Sequence, residues 1–141
     1  MNVFHTDGGC RGNGQKNLDL RRMVAVVADK EGRVLIDKED IGGSNNIAEL
    51  WAVKECLAWC SIRRLSNILI ETDSQVAYWW TVNSEKKIKQ KAQDKMNDLA
   101  RVLELREAIT ELKPLVAPFQ MKVISREQNL AGHFIEDKYG L

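Results

Sequence analysis

Near residue 45 the apolar residues stop recurring at every second position and begin recurring at every third or fourth, which limits the chain to a sheet-then-helix plan. Before the switch, residues 2–7 alternate, with Val3, His5 and Asp7 on one side and Phe4 and Thr6 on the other, as in a strand. Residues 22–28 are a short β-branched run and read as a buried strand. Asp29-Lys30-Glu31-Gly32 is a turn signal that predicts a hairpin into a third strand over residues 33–41. Gly8, Gly9, Gly12 and Gly14 predict a loop after the first strand. After the switch, Leu50, Val53, Leu57 and Cys60 form one helical stripe over residues 47–61. Residues 67–72 predict a fourth strand, and 74–81 a short aromatic helix. Met96, Leu99, Val102, Leu103, Leu105, Ile109 and Leu112 predict a second long helix that stops before Pro114. Phe119, Met121 and Val123 alternate as a fifth strand, and residues 129–138 predict a closing helix. The order βββ-α-β-α-α-β-α describes an α/β fold. Its first strands form an antiparallel meander, its later strands arrive by parallel crossovers, and helices cover the faces of the mixed sheet.

A chain of 141 residues is expected to form a single domain, residues 1–141, around one core. The longest apolar run, Met23 to Ala28, is far below the roughly 20 residues of a spanning helix, so no membrane association is expected. The first residues lack the basic-then-apolar pattern of a leader. Three cysteines without framework spacing suit a reducing, cytoplasmic setting. A net charge of +1 excludes a grossly basic nucleic-acid coat but allows a local basic patch.

Carboxylates stand at the ends of the predicted core elements. Asp7 ends the first strand inside Thr6-Asp7-Gly8-Gly9. Glu49 opens the long helix inside Asn45-Asn46-Ile47-Ala48-Glu49-Leu50, and Asp73 ends the fourth strand inside Glu71-Thr72-Asp73-Ser74-Gln75. Each has an ordinary reading. Asp7 before two glycines suits a turn. Asn46 and Glu49 approach a capping box, and Asp73 before a helix suits an N-cap. The combination says more. If strands one and four are parallel neighbours, the three carboxylates meet at one edge and repel unless a cation joins them. Oxygen donors without a cysteine or histidine cluster suit Mg²⁺ or Mn²⁺.

Phe4-His5-Thr6-Asp7-Gly8, the segment around Glu49, Ile70-Glu71-Thr72-Asp73-Ser74-Gln75 and Arg126-Glu127-Gln128-Asn129 together resemble type I ribonuclease H, within the ribonuclease H-like nuclease superfamily. The ordered set covers essentially the whole chain. The resemblance implies a five-stranded mixed sheet of order 3-2-1-4-5 flanked by helices, and cleavage of the RNA strand of an RNA–DNA hybrid. It implies that Asp7, Glu49 and Asp73 hold two divalent cations about 4 Å apart across the scissile phosphate. It matches Cys10, Gly12, Asn13, Asn45, Asn46 and Gln75 to positions that touch the nucleic-acid strands. The glycines from Gly8 and Gly9 to Gly14 would let main-chain amides approach phosphates and sugars, and Asn and Gln could sense a 2′-hydroxyl.

The chain departs from that family at its last motif. The fourth acid is expected four residues after Asn129, where His133 stands, and Asp137 lies one turn further. Either His133 is itself a ligand, which would favour Mn²⁺, or Asp137 or no residue fills the place. Residues 125–128 also lack the histidine that many family members carry in a flexible loop there. Lys86, Lys87, Lys89, Lys91 and Lys95 form a basic segment after Trp79 and Trp80, where some family members grip the DNA strand. The other reading is a solvated helix start with tryptophans in the core. Cys56 and Cys60 read as small buried apolar residues. Two other functions remain open: a branched-DNA nuclease of the same superfamily, and a weakly catalytic hybrid-binding module. Nothing marks a dimer face, so a monomer is expected.

Overall fold

The computed structural model describes residues 1–12, 14–17, 20–92 and 99–141. Among these residues the chain forms five strands: β1 (Asn2–Arg11), β2 (Arg22–Asp29), β3 (Val34–Ile41), β4 (Ile68–Thr72) and β5 (Phe119–Val123). Five α-helices accompany them: α1 (Asn45–Ile62), α2 (Gln75–Val82), α3 (Glu85–Ala92), α4 (Leu99–Leu112) and α5 (Leu130–Tyr139). The strands make one mixed sheet of order β3-β2-β1-β4-β5. β1 pairs antiparallel with β2 and parallel with β4, and β4 pairs parallel with β5. No helix among the described residues is long and apolar enough to cross a membrane.

Helices cover both faces of the sheet, and β2 shows why its sequence is almost continuously apolar. Met23 and Val27 join the larger core beneath α1, α2 and α4, while Val24, Val26 and Ala28 pack with Ala131 and Ile135 of α5. A strand buried on both sides has no polar face to show in its period. Helix α1 adds Ile47, Leu50, Val53, Cys56, Leu57 and Cys60 to the larger core, with Cys56 and Cys60 fully buried as free thiols. Glu55 is the charged exception on that helix. Burial alone would raise its carboxyl, but Lys38 and Lys54, at 3.1 and 3.3 Å, hold it below the usual range, and Trp51 Nε1 donates to it at 2.9 Å.

Three expectations change. Gly8, Gly9 and Cys10 are strand, not loop: β1 runs on through Cys10–Met23 and Arg11–Arg22 against β2. The glycine at position 8 is needed for packing. A Cβ there would lie 2.2 Å from the Ala48 carbonyl carbon and 2.4 Å from the Glu49 nitrogen, so β1 and α1 meet backbone to backbone. Lys86, Lys87, Lys89 and Lys91 lie on a helix that was not expected, α3, whose Ile88 is buried. The expected helix caps also move by one or two residues. Ser44 caps α1 by accepting from Ile47 N at 3.3 Å, and Ser74 caps α2 by accepting from Ala77 N at 3.0 Å. Met96, expected to start the second long helix, lies outside the described residues.

The Gly8 contact is testable. Gly8→Ala forces a methyl into main-chain atoms that cannot rotate away, and should destabilise the fold by about 2–4 kcal/mol. An unchanged urea midpoint would show that β1 and α1 can separate without cost.

Candidate active site

The parallel pairing of β1 with β4 ends at Thr6–Thr72. Asp7 and Asp73 are the next residue on each strand, so they emerge side by side where the two strands stop pairing. The backbone contact at Gly8 brings the second turn of α1, with Glu49, to the same edge. One ligand oxygen from each of Asp7, Glu49 and Asp73 lies within 4.8 Å of the others. The ordinary duties considered for these residues belong to others. The caps of α1 and α2 are Ser44 and Ser74, and Asp7 sits in a strand, paired with Val26, rather than in a turn.

Asp7 is 1 % exposed, and among the described residues neither of its carboxylate oxygens has a donor at hydrogen-bond geometry. Oε2 of Glu49 is likewise buried and without a donor. Buried anionic oxygens without partners are costly, and nearly every such group in folded proteins is satisfied. Burial therefore pushes the Asp7 carboxyl up, with Asp73 adding to the effect. Burial, followed by the neighbouring Asp7, holds Glu49 well above the usual carboxylate range. These groups take up either a proton or a hard cation, and the all-oxygen donor set fits Mg²⁺ or Mn²⁺.

Two residues behind the cluster act on it, and the sequence reading gave neither a role. Arg126 places Nη1 3.3 Å from Asp73 Oδ2 and Nε 3.0 Å from Glu136. Partial burial pulls its guanidinium down, but Asp7, Asp73 and Glu136 outweigh that and raise it. Asn129 is fully buried and donates from Nδ2 to the Thr6 carbonyl at 2.9 Å and to Asp73 Oδ1 at 3.2 Å. His5 is the third contributor. Its Nδ1 accepts from Leu130 N at 2.9 Å, and burial lowers its pKa despite Glu71 nearby, so the ring is neutral. Asn129 carried two legible signals, its place directly before a helix and its position in the last motif of the resemblance. Arg126 and His5 also stand inside the motif segments, but the sequence gave them no role of their own.

A cleft of about 240 Å³ opens onto the cluster and is lined by Asp7, Gly8, Gly9, Cys10, Asn45, Glu49, Arg126, Ile135 and Leu141. Of the residues matched to strand contacts, Gly8, Gly9, Cys10 and Asn45 thus share the wall with the acids. Asn46 and Gln75 are exposed in the first turns of α1 and α2, and Gly12 is in the turn after β1. Asn13 lies outside the described residues. His133 and Asp137 are exposed on α5 and do not join the three-carboxylate group. Among the described residues the group has three members, and the choice of His133, Asp137 or no residue for a fourth place stays open. Lys86, Lys87 and Lys89 are exposed on α3, where Lys89 pairs with Glu85 at 3.1 Å. Lys91 Nζ sits 4.7 Å over the half-buried Trp79 ring, while Trp80 belongs to the core. Lys95 lies outside the described residues.

Comparison with known proteins follows the same lines. The chain resembles the RNase H1 of Halobacterium salinarum NRC-1 at 19 % identity, with a TM-score of 0.59, over 96 % of this chain and 98 % of that one. It also resembles the N-terminal RNase H domain of a Mycobacterium tuberculosis protein, at 20 % identity and a TM-score of 0.61, over 92 % and 91 %. A third likeness is to LC11-RNase H1, solved in complex with an RNA/DNA hybrid, at 20 % identity and a TM-score of 0.58, over 92 % and 88 %. Identities this low speak for the fold alone. No curated protein sequence matches. The RNase H family profile, however, matches residues 1–125, most of the chain. By that match, the chain belongs to the RNase H family and is a ribonuclease H enzyme.

Proposed function

We propose that this enzyme hydrolyses the RNA strand of RNA–DNA hybrids by a two-metal-ion mechanism at Asp7, Glu49 and Asp73. The observation behind this reading is the set of buried carboxylate oxygens without donors on Asp7 and Glu49, within 4.8 Å of Asp73. The hybrid bound to LC11-RNase H1 supports the substrate class. When bound, divalent cations would lower the pKa of a water and offset charge developing at the phosphate. The protein's own part is placement. Asp7 would contribute from a strand buried on both faces, and Glu49 from a helix locked to that strand, so the donors are organised before substrate arrives. Arg126 keeps a positive charge beside Asp7 and Asp73 at the cleft. Gly8, Gly9, Cys10, Asn45, Asn46 and Gln75 would contact the strands, and exposed Lys86, Lys87 and Lys89 would supply phosphate contacts that weaken with salt.

The direct test offers the protein a labelled RNA–DNA hybrid, an RNA duplex and branched DNA, in Mg²⁺ or Mn²⁺. Cleavage confined to the RNA strand of the hybrid is expected. Cutting of branched DNA alone would replace this reading with a resolvase-type one. Asp7→Asn should lower the cleavage rate roughly 10³-fold, equivalent to about 4 kcal/mol, while hybrid binding persists. If wild type binds hybrid but never cuts it, the protein is a binding module. His133→Asp places a carboxylate where the family's fourth acid is expected. A higher Mg²⁺-supported rate in that variant would assign the fourth ligand to this position, and an unchanged rate would leave the site with three.

The raised carboxyls also set a pH dependence. A carboxyl whose folded pKa lies above its unfolded value, roughly 4, stabilises the fold below that value, and the stabilisation is lost as pH rises through the folded pKa. The ion-free protein should therefore lose melting temperature as pH climbs from about 4 into the neutral range. Mg²⁺, binding the ionised form, should reduce the loss, and Glu49→Gln should remove most of it. Melting curves that are the same with and without Mg²⁺ at every pH would exclude a cation site at these residues.

A further inference from the structure

We propose that Asn129 is a positioning residue for the reaction: its carboxamide holds one oxygen of Asp73 so that the other stays available to a cation. This inference rests on the reading of the acidic cluster as a cation site and adds a residue to it.

All of the hydrogen-bonding capacity of Asn129 is used. Its Oδ1 accepts from Ala131 N at 3.1 Å and from Gly132 N at 3.3 Å, capping α5. Its Nδ2 donates to the Thr6 carbonyl at 2.9 Å and to Asp73 Oδ1 at 3.2 Å. A carboxamide has two lone pairs and two N–H groups, and each one here has a partner. The chemistry allows only this orientation. Turning the amide over would face Nδ2 to two backbone N–H groups and Oδ1 to a carbonyl and a carboxylate. Because the side chain is fully buried, water cannot repair such a mismatch.

The same four bonds tie together the parts that carry the acids. Thr6 is the residue before Asp7, Asp73 directly follows β4, and Gly132 lies against Asp7. A Cβ on Gly132 would approach Asp7 Oδ2 to 3.1 Å. His5 takes the Leu130 amide, so the first three amides of α5 are all held by side chains of β1 or of the cap. The start of α5 is thus a fixed wall behind Asp7 and Asp73, and its amides are already committed.

The two oxygens of Asp73 differ as a result. Oδ1 is held by a buried, fully satisfied amide. Among the described residues Oδ2 meets Arg126, whose side chain is about half exposed and able to move aside. The ligand-ready oxygen is therefore Oδ2, and Asn129 selects it.

Capping alone and positioning make different predictions. Asn129→Ser keeps an N-cap acceptor but cannot reach Asp73 with a donor. Positioning predicts that the Mg²⁺ concentration for half-maximal cleavage rises roughly 10–100-fold, with the KM for hybrid unchanged. The Mg²⁺-induced rise in melting temperature, read without substrate, should shrink in parallel. Asn129→Asp has the same shape and caps at least as well, but turns a carboxylate oxygen toward Asp73 Oδ1. It should lower kcat at least about tenfold with KM unchanged, and it serves if the serine variant does not fold. In an Asp73→Asn background, Asn129→Ser should have no further effect on the Mg²⁺-induced melting shift. Wild-type Mg²⁺ response and kcat in both single variants would reduce Asn129 to a helix cap and overturn the proposal. If wild type itself shows no Mg²⁺-linked melting shift and no cleavage, the cation-site reading fails first, and this inference fails with it.

Discussion

Repulsion among three carboxylates is the constraint to which the rest of the architecture responds. At separations under 4.8 Å and an effective dielectric near 20, each ionised pair costs about 3 kcal/mol or more. A whole domain is stable by only about 5–15 kcal/mol. Flexible supports would let the groups drift apart and lose any cation between them. The chain instead hangs each acid on a main-chain element that cannot give way locally. Asp7 lies on a central strand with partners on both edges, and Asp73 at the end of its parallel neighbour. Glu49 lies on a helix in backbone contact with that central strand. In the absence of a cation, protons and the Arg126 guanidinium carry the offset.

Helix α5 completes the support and is fastened at both ends. At its start, His5 and Asn129 hold its amides. At its end, Tyr139 Oη donates to Asp37 Oδ1 at 2.6 Å, and Lys138 pairs with the same carboxylate on β3. Between these points Ala131 and Ile135 pack on Val24, Val26 and Ala28. The helix therefore spans from the acidic edge to the far strand of the sheet, and its position follows from contacts at separate places. A small rotation would have to break several of them together.

The legible parts of the sequence were those governed by local periodicity. The strand alternation at Phe119, Met121 and Val123, the stripe from Leu50 to Cys60 and the break before Pro114 each depend on neighbours a few residues away. The sheet order came from the resemblance, which the family match and the observed order bear out. The sequence misled where a residue answers to something distant. Gly8 looks like a loop residue until α1 is laid against it, because the helix backbone is what excludes a side chain there, while Gly9 faces the Leu141 and Val24 side chains. Asn46 and Asp73 look like caps because Ser44 and Ser74 stand so near, and offsets of one or two residues are beyond what cap preferences resolve. Asn129 reads as an ordinary helix start, since its second pair of hydrogen bonds joins residues 123 and 56 positions away. The three acids were visible as a set only because element ends can converge, whereas their lack of donors is a property of the folded state.

The contact at Gly8 also bears on motion. Many enzymes keep their reacting groups on loops that open with free energies far below that of global unfolding. Here the strand bearing Asp7 and the helix bearing Glu49 touch through main-chain atoms at the middle of the sheet, with fully buried Ala48 and Leu50 between them and the larger core. Parting those two acids means parting the sheet from its principal helix, a cooperative event on the scale of the whole domain. Slow exchange of amide hydrogens should therefore extend into the acidic edge itself. Asp7 and Glu49, on the wall of the cleft, thus share the stability of the main-chain contact beneath them.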